Sequence, residues 1–135
     1  SSMVLVTHDM GVVARMADRI VVMYAGRICE TADAKTIFHN PQHPYTRALL
    51  ESTPRVDQSY SRGGKERLPV IKGRPPNLIA PPAGCRFHPR CRFAAPLCSV
   101  RVPALHDDGR RHQAACHLFD PASGHPGGVR IARAA

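Results

Sequence analysis

The second half of this chain cannot hold itself together by apolar contacts, and that constrains its fold more than any other feature. Aromatic residues make up only 5% of the 135 positions, Trp is absent, and most of the 13 Pro and 10 Gly fall in that half. A segment so poor in large apolar side chains needs a covalent or metal staple, or a partner surface, to become ordered. Four cysteines lie within it. Cys85, Cys91, Cys98 and Cys116 are separated by five, six and seventeen residues. With no secretory signal, these thiols are expected to stay reduced, which turns the reading from disulfides toward metal binding.

Four thiolates complete the ligand set of a [4Fe-4S] cluster or of a structural zinc ion. Zinc sites favour two close cysteine pairs, whereas these ligands are wider and uneven, as loops wrapping a larger cluster would need. Arg86, Arg90 and Arg92 lie beside the ligands and are expected to offset the negative charge of a thiolate-held cluster. His88, His112 and His117 are near enough in sequence to complete instead a zinc site of three cysteines and one histidine, but each reads more simply as a solvated loop histidine. Cys29 stands at an alternating strand position, where a free cysteine behaves as a small buried hydrophobe.

Ahead of the cysteines the pattern is α/β. Met3–Thr7 is a short apolar, β-branched run expected to form a strand buried on both faces. Asp9 should cap a short helix over Met10–Ala17. Arg19–Tyr24 and Arg27–Thr31 read as a hairpin closed by Ala25-Gly26. Asp33 should cap a helix over Ala34–His39, and Tyr45–Ser52 should be helical after the breaks at Pro41 and Pro44. These elements are the closing portion of an α/β domain. The expected organisation is an α/β end at 1–53, a polar linker at 54–67, a cysteine-rich extension at 68–120 with a short strand over Leu68–Lys72, and a disordered tail at 121–135.

The formal charge of +9, from 19 Lys and Arg against 10 Asp and Glu, admits an acidic partner such as nucleic acid. The Arg residues are scattered, however, with no aromatic platform or recognition helix among them. No apolar run approaches the roughly 20 residues that cross a bilayer, so a soluble cytoplasmic chain is expected, touching a membrane only through a partner. His8 follows the first strand and precedes a helix, at the sheet edge where α/β folds bind ligands. There is no Gly-rich phosphate loop ending in Gly-Lys-Ser/Thr and no apolar strand ending in paired acidic residues for magnesium. These residues alone are therefore expected neither to bind ATP tightly nor to hydrolyse it.

Three blocks in one order resemble a known family. Leu5-Val6-Thr7-His8-Asp9-Met10 and Ala17–Ile28 are similar to the last strands of an ABC-type ATPase domain. His43-Pro44-Tyr45-Thr46-Arg47-Ala48-Leu49-Leu50 is similar to the signature of oligopeptide/dipeptide importer subunits. Gly84-Cys85-Arg86-Phe87-His88-Pro89-Arg90-Cys91, with Cys98, Pro103, His112 and Cys116, resembles their C-terminal extension. The resemblance implies a peripheral subunit on the cytoplasmic face of a bacterial inner membrane. Such a subunit works as one of two ATP-binding subunits that drive a pair of permeases and take peptides from a binding protein. It further implies that His8 is the switch histidine contacting the γ-phosphate of ATP beside magnesium in the intact subunit, and that Cys85, Cys91, Cys98 and Cys116 hold [4Fe-4S]. A small basic zinc protein acting on nucleic acid is the alternative from another class, and a redox-sensing module is a third reading.

Overall fold

The computed structural model describes residues 1–53 and 69–127; the expected linker at 54–67, Leu68 and the tail beyond 127 lie outside these. Its centre is a four-stranded sheet in the order β1-β2-β4-β3, formed by β1 (Arg19–Tyr24), β2 (Arg27–Asp33), β3 (His106–Asp107) and β4 (Gln113–Ala114). All pairings are antiparallel. The sheet therefore takes strands from both the α/β end and the cysteine-rich part of the chain.

The β1–β2 hairpin forms where the sequence places it. Ala25 and Gly26 both have positive φ, 49° and 79°, the conformation of the two-residue turns whose twist matches that of paired strands. Its register slips once. Val22 faces Glu30 but Met23 faces Ile28, so Cys29 is an extra residue in β2. This bulge breaks the in–out alternation and lets Cys29, Glu30, Thr31 and Ala32 all be buried in succession.

Helices α1 (Met10–Met16), α2 (Ala34–His39) and α3 (Pro44–Ser52) pack along the hairpin. Asp9 caps α1, accepting from the Gly11 and Val12 amides at 2.9 and 3.2 Å. Asp33 caps α2 through the Thr36 amide at 2.8 Å. Three first-turn amides that would otherwise lack partners are thereby satisfied. Ile20, Val22, Ala32 and Ile37 form the main core, with Val13, Ala17, Phe38 and Leu49 against it. A second, smaller core joins Tyr24, Cys29 and Phe87, which brings the cysteine-rich segment onto the end of the hairpin. Cys29 is the small buried hydrophobe expected there.

Three expectations are corrected. Met3–Thr7 is not a strand, and Val4 and Val6 are 92% and 93% exposed. A strand of that composition is stable only between paired neighbours and under covering layers, and the described sheet supplies neither. Residues 69–72 form no strand; the carbonyls of Ile71 and Lys72 instead accept from the Arg90 guanidinium at 3.3 and 3.1 Å. Residues 121–127 of the tail are held in place: Ser123 Oγ donates to the His117 carbonyl at 2.5 Å and His125 Nε2 donates to the Phe93 carbonyl at 2.9 Å. Polar bonds to backbone substitute there for the apolar contacts the composition cannot supply.

Candidate functional site: the cysteine cavity

Cys85, Cys91, Cys98 and Cys116 line one cavity, closed on its other sides by Phe87, Phe93, Leu118 and four histidines, with about 300 Å³ of atom-free space counted out to its mouth. Two single-turn 3₁₀ segments, His88–Arg90 and Pro96–Ser99, bend the chain around it. Gly84 lets them meet. Its φ is +69°, and it brings the Cys85 amide onto the Cys98 carbonyl at 2.8 Å. All five cysteines carry free thiols.

Each of the four sulfurs faces a backbone amide. Cys98 Sγ accepts from the Ala95 amide at 3.5 Å. Cys85 takes the amides of Phe87 and His88, Cys91 that of Phe93, and Cys116 that of Leu118. Burial pushes the thiol of Cys85 up, that of Cys91 to about 11 and that of Cys116 further still, while the amides pull in the opposite direction. Thiols in this setting keep their protons until a cation takes their place. The amides are then ready to stabilise the thiolates, as donors to metal-bound sulfur do.

Among the described residues, no group of three or more His, Cys, Asp or Glu is placed to hold one metal ion. A zinc site needs its sulfurs about 2.3 Å from a single point, so neither zinc reading, with four cysteines or with three and a histidine, gains support from the donor positions. Two of the histidines offered for the latter line the cavity, each with one ring nitrogen bonded to a backbone carbonyl. His88 Nδ1 donates to the Cys85 carbonyl at 2.7 Å, and His117 Nε2 donates to the Arg101 carbonyl at 2.9 Å. His112 lies outside the cavity lining, bonded to Glu30. His112 and His117 are not solvated: they are 4% and 5% exposed.

The arginines are also redistributed. Arg86 donates to the Ala25 carbonyl, and Arg90 spans Tyr24, Ile71 and Lys72. These two act as ties between segments. The cationic influence on the sulfurs comes from Arg92 toward Cys91 and from Arg27 toward Cys85. Arg27 was missed in the sequence because only the folded hairpin turns it toward Gly84, whose carbonyl it reaches at 3.5 Å.

His43 connects the cavity to α3. Its Nδ1 accepts from the Tyr45 amide at 3.0 Å, so an imidazole replaces the usual Ser or Asp cap, and Pro44 follows at a position where its missing amide costs nothing. Tyr45 then stacks with Tyr24 and Phe87 at ring separations of 4.7 and 5.4 Å. The His-Pro-Tyr triplet is thus a joint between α3, the hairpin and the cysteine segment. Burial depresses the His43 pKa to about 4, partly opposed by Glu30 and by the Ala115 carbonyl. A folded value below the unfolded value of about 6.5 means that the unfolded chain takes up a proton first. Stability should therefore fall as pH drops from about 6.5 toward 4, by about 3 kcal/mol from this group at most. Urea denaturation across that range checks this, with His43→Gln expected to flatten the slope.

Residues 29–98, just over half of the 135, match the family described as "Oligopeptide/dipeptide transporter, C-terminal region". The chain belongs to that family. The match takes in the His-Pro-Tyr joint and three of the four cavity cysteines. A Brucella melitensis protein named for peptide import and ATP binding is 47% identical over 84% of this chain. The dipeptide transport ATP-binding protein of Bacillus subtilis is 44% identical over 92% of it, and the oligopeptide transport ATP-binding protein of Haemophilus influenzae is 45% identical over 74%. This oligopeptide/dipeptide transporter region spans 34%, 36% and 29% of those three relatives, about a third of their length. His8 is exposed in it, immediately before the cap of α1. No helix among the described residues is long and apolar enough to cross a membrane.

Proposed function

We propose that this chain is the C-terminal region of an ATP-binding subunit of an ABC importer that energises peptide uptake. The observation that carries the reading is 44% identity over 92% of the chain to a dipeptide transport ATP-binding protein. In this reading residues 1–53 close the ATPase domain, 54–67 link, 68–120 form the extension and 121–135 the tail. The subunit works as one of an ATP-binding pair on the cytoplasmic face of the membrane, against two permease subunits, with ATP and magnesium held by the part of the subunit that precedes His8. His8, exposed beside α1, is free to donate to a γ-phosphate oxygen. A nucleic-acid role is not favoured, since the relatives are named for peptide transport and ATP binding.

The test is a chimera in which this chain replaces the matching third of the Bacillus subtilis relative. It should restore dipeptide uptake to cells lacking that subunit. His8→Ala in the chimera should retain nucleotide binding and abolish uptake. A chimera that assembles at the membrane without supporting uptake would contradict the reading.

The extension is proposed to hold a [4Fe-4S] cluster on Cys85, Cys91, Cys98 and Cys116. What supports the reading is that four free thiols line one cavity, each with an amide aimed at it. In such a cluster each thiolate would bind a different iron. When bound, the group would act as a cross-link and as an electron store. The chain's own part is to supply thiolates, direct amides at them and screen them with Phe87, Phe93 and Leu118. Cys91→Ser should lower the iron content of anaerobically reconstituted protein several-fold, whereas Cys29→Ser should leave it unchanged. Equal losses in the two variants would remove the distinction drawn between them.

A further inference from the structure

Glu30 is fully buried on β2, and a carboxylate in that position is tolerated only where donors surround it. Three reach it. The Gln42 amide donates to Oε1 at 2.6 Å and the His43 amide to Oε2 at 2.9 Å. The third, His112 Nε2, lies 2.5 Å from Oε1 in a pair whose side chains are 0% and 3% exposed. His112 directly precedes β4, the strand that carries the chain toward Cys116. The ladder docking β4 is short, with only Glu30 opposite Ala114 and Thr31 opposite Gln113, extended by the Ala115 amide donating to the Cys29 carbonyl at 2.7 Å. So brief a ladder is weak by itself. The side-chain bond therefore supplies much of the attachment between β4 and the hairpin.

We propose that Glu30 and His112 form a latch that holds β4, the strand leading to Cys116, on β2 while His112 is charged and loosens it when His112 loses its proton. The groups facing the imidazole come from each element packed on it. Glu30 and Asp33 face it from β2, and Asp108 Oδ2 lies 3.9 Å from Nδ1 in the loop between β3 and β4. Across Glu30 stands His43, which is neutral near pH 7. The hydrogen bond with Glu30 raises the His112 pKa most, burial opposes it, and the charges of Glu30, Asp108 and Asp33 raise it further. For a base whose folded value is raised, the stabilisation is complete below the unfolded value of about 6.5 and is lost as pH climbs through the folded one. The latch is therefore shut on the acid side of that window and slack on the alkaline side.

The experiment is amide hydrogen exchange at Ala115 in the 135-residue chain between pH 6 and 9, corrected for intrinsic exchange, with the His112 ring titrated by NMR in the same samples. Protection should fall about fivefold, the difference between a charge-assisted and a neutral hydrogen bond, and its midpoint should coincide with the His112 titration. His112→Gln, which keeps a side-chain N–H donor without the charge, should show low protection that no longer changes with pH. Asp108→Asn alters a side chain 45% exposed, so the fold should persist while the midpoint moves to lower pH. Wild-type protection that stays constant through the His112 titration, a pH response unchanged in His112→Gln, or an unmoved midpoint in Asp108→Asn would each overturn the latch.

Discussion

Replacing Gly84 by Ala should dismantle the cysteine cavity. A Cβ at this position would stand 2.3 Å from the Cys98 carbonyl oxygen, 2.8 Å from the Ser99 carbonyl carbon and 2.9 Å from the Val100 amide nitrogen. All three atoms are backbone, so no rotamer change can make room. The residue also has a φ of +69°, which by itself costs an alanine about 1 kcal/mol. Relief requires the Pro96–Ser99 turn to move away, and that breaks the 2.8 Å bond from the Cys85 amide to Cys98 and separates two of the four sulfurs. A loss of about 3 kcal/mol or more is expected, within the range of substitutions that clash with a fixed backbone. Gly109 supplies the control, since its φ is +84° but nothing lies within 4 Å of an added Cβ. Gly109→Ala should show only the conformational cost of about 1 kcal/mol. Denaturant midpoints of the two variants decide the matter, and equal values would show that the close approach at Gly84 is not needed.

Glu30→Ala is expected to destabilise the chain by about 3–5 kcal/mol, the scale seen when one partner of a buried pair is removed. The change strands three donors at once, the Gln42 and His43 amides and the His112 ring. Two of these lead into the cap of α3, and the third holds β4. Glu30→Gln keeps one acceptor oxygen and should lose roughly half as much. Equilibrium unfolding followed by circular dichroism ranks the variants. A cost below about 1 kcal/mol for Glu30→Ala would mean that water or rearrangement satisfies those donors and that the node does not organise the sheet.

The parts of the fold that were legible in the sequence depend on near neighbours. Asp9 and Asp33 cap the helices they precede, and the Ala25-Gly26 turn sets a hairpin, because each of these needs only a few adjacent residues. The grouping of the four cysteines was legible for a similar reason: too little else could order that segment. Met3–Thr7 was misread because apolar β-branched composition describes a strand that already has partners, and here its side chains meet none. The Glu30–His112 pair spans 82 positions in sequence, and no local pattern links a charged residue in an apolar strand to one histidine among eight. A buried-strand Glu does signal that some cation must reach it, but not which. Likewise, the bulge at Cys29 depends on the register of two strands, and the packing of 121–127 on contacts with Phe93 and Arg101.

We propose that the thiols of Cys85, Cys91, Cys98 and Cys116 surround one iron–sulfur cluster, which would cross-link a segment poor in large apolar side chains. Iron and acid-labile sulfide, determined together with the visible spectrum of the anaerobically purified chain, address it directly. A brown protein containing iron and sulfide in equal amounts, with a broad visible absorbance that weakens on reduction, is the predicted result. A colourless folded protein containing zinc, or no metal under conditions that load other clusters, would contradict it.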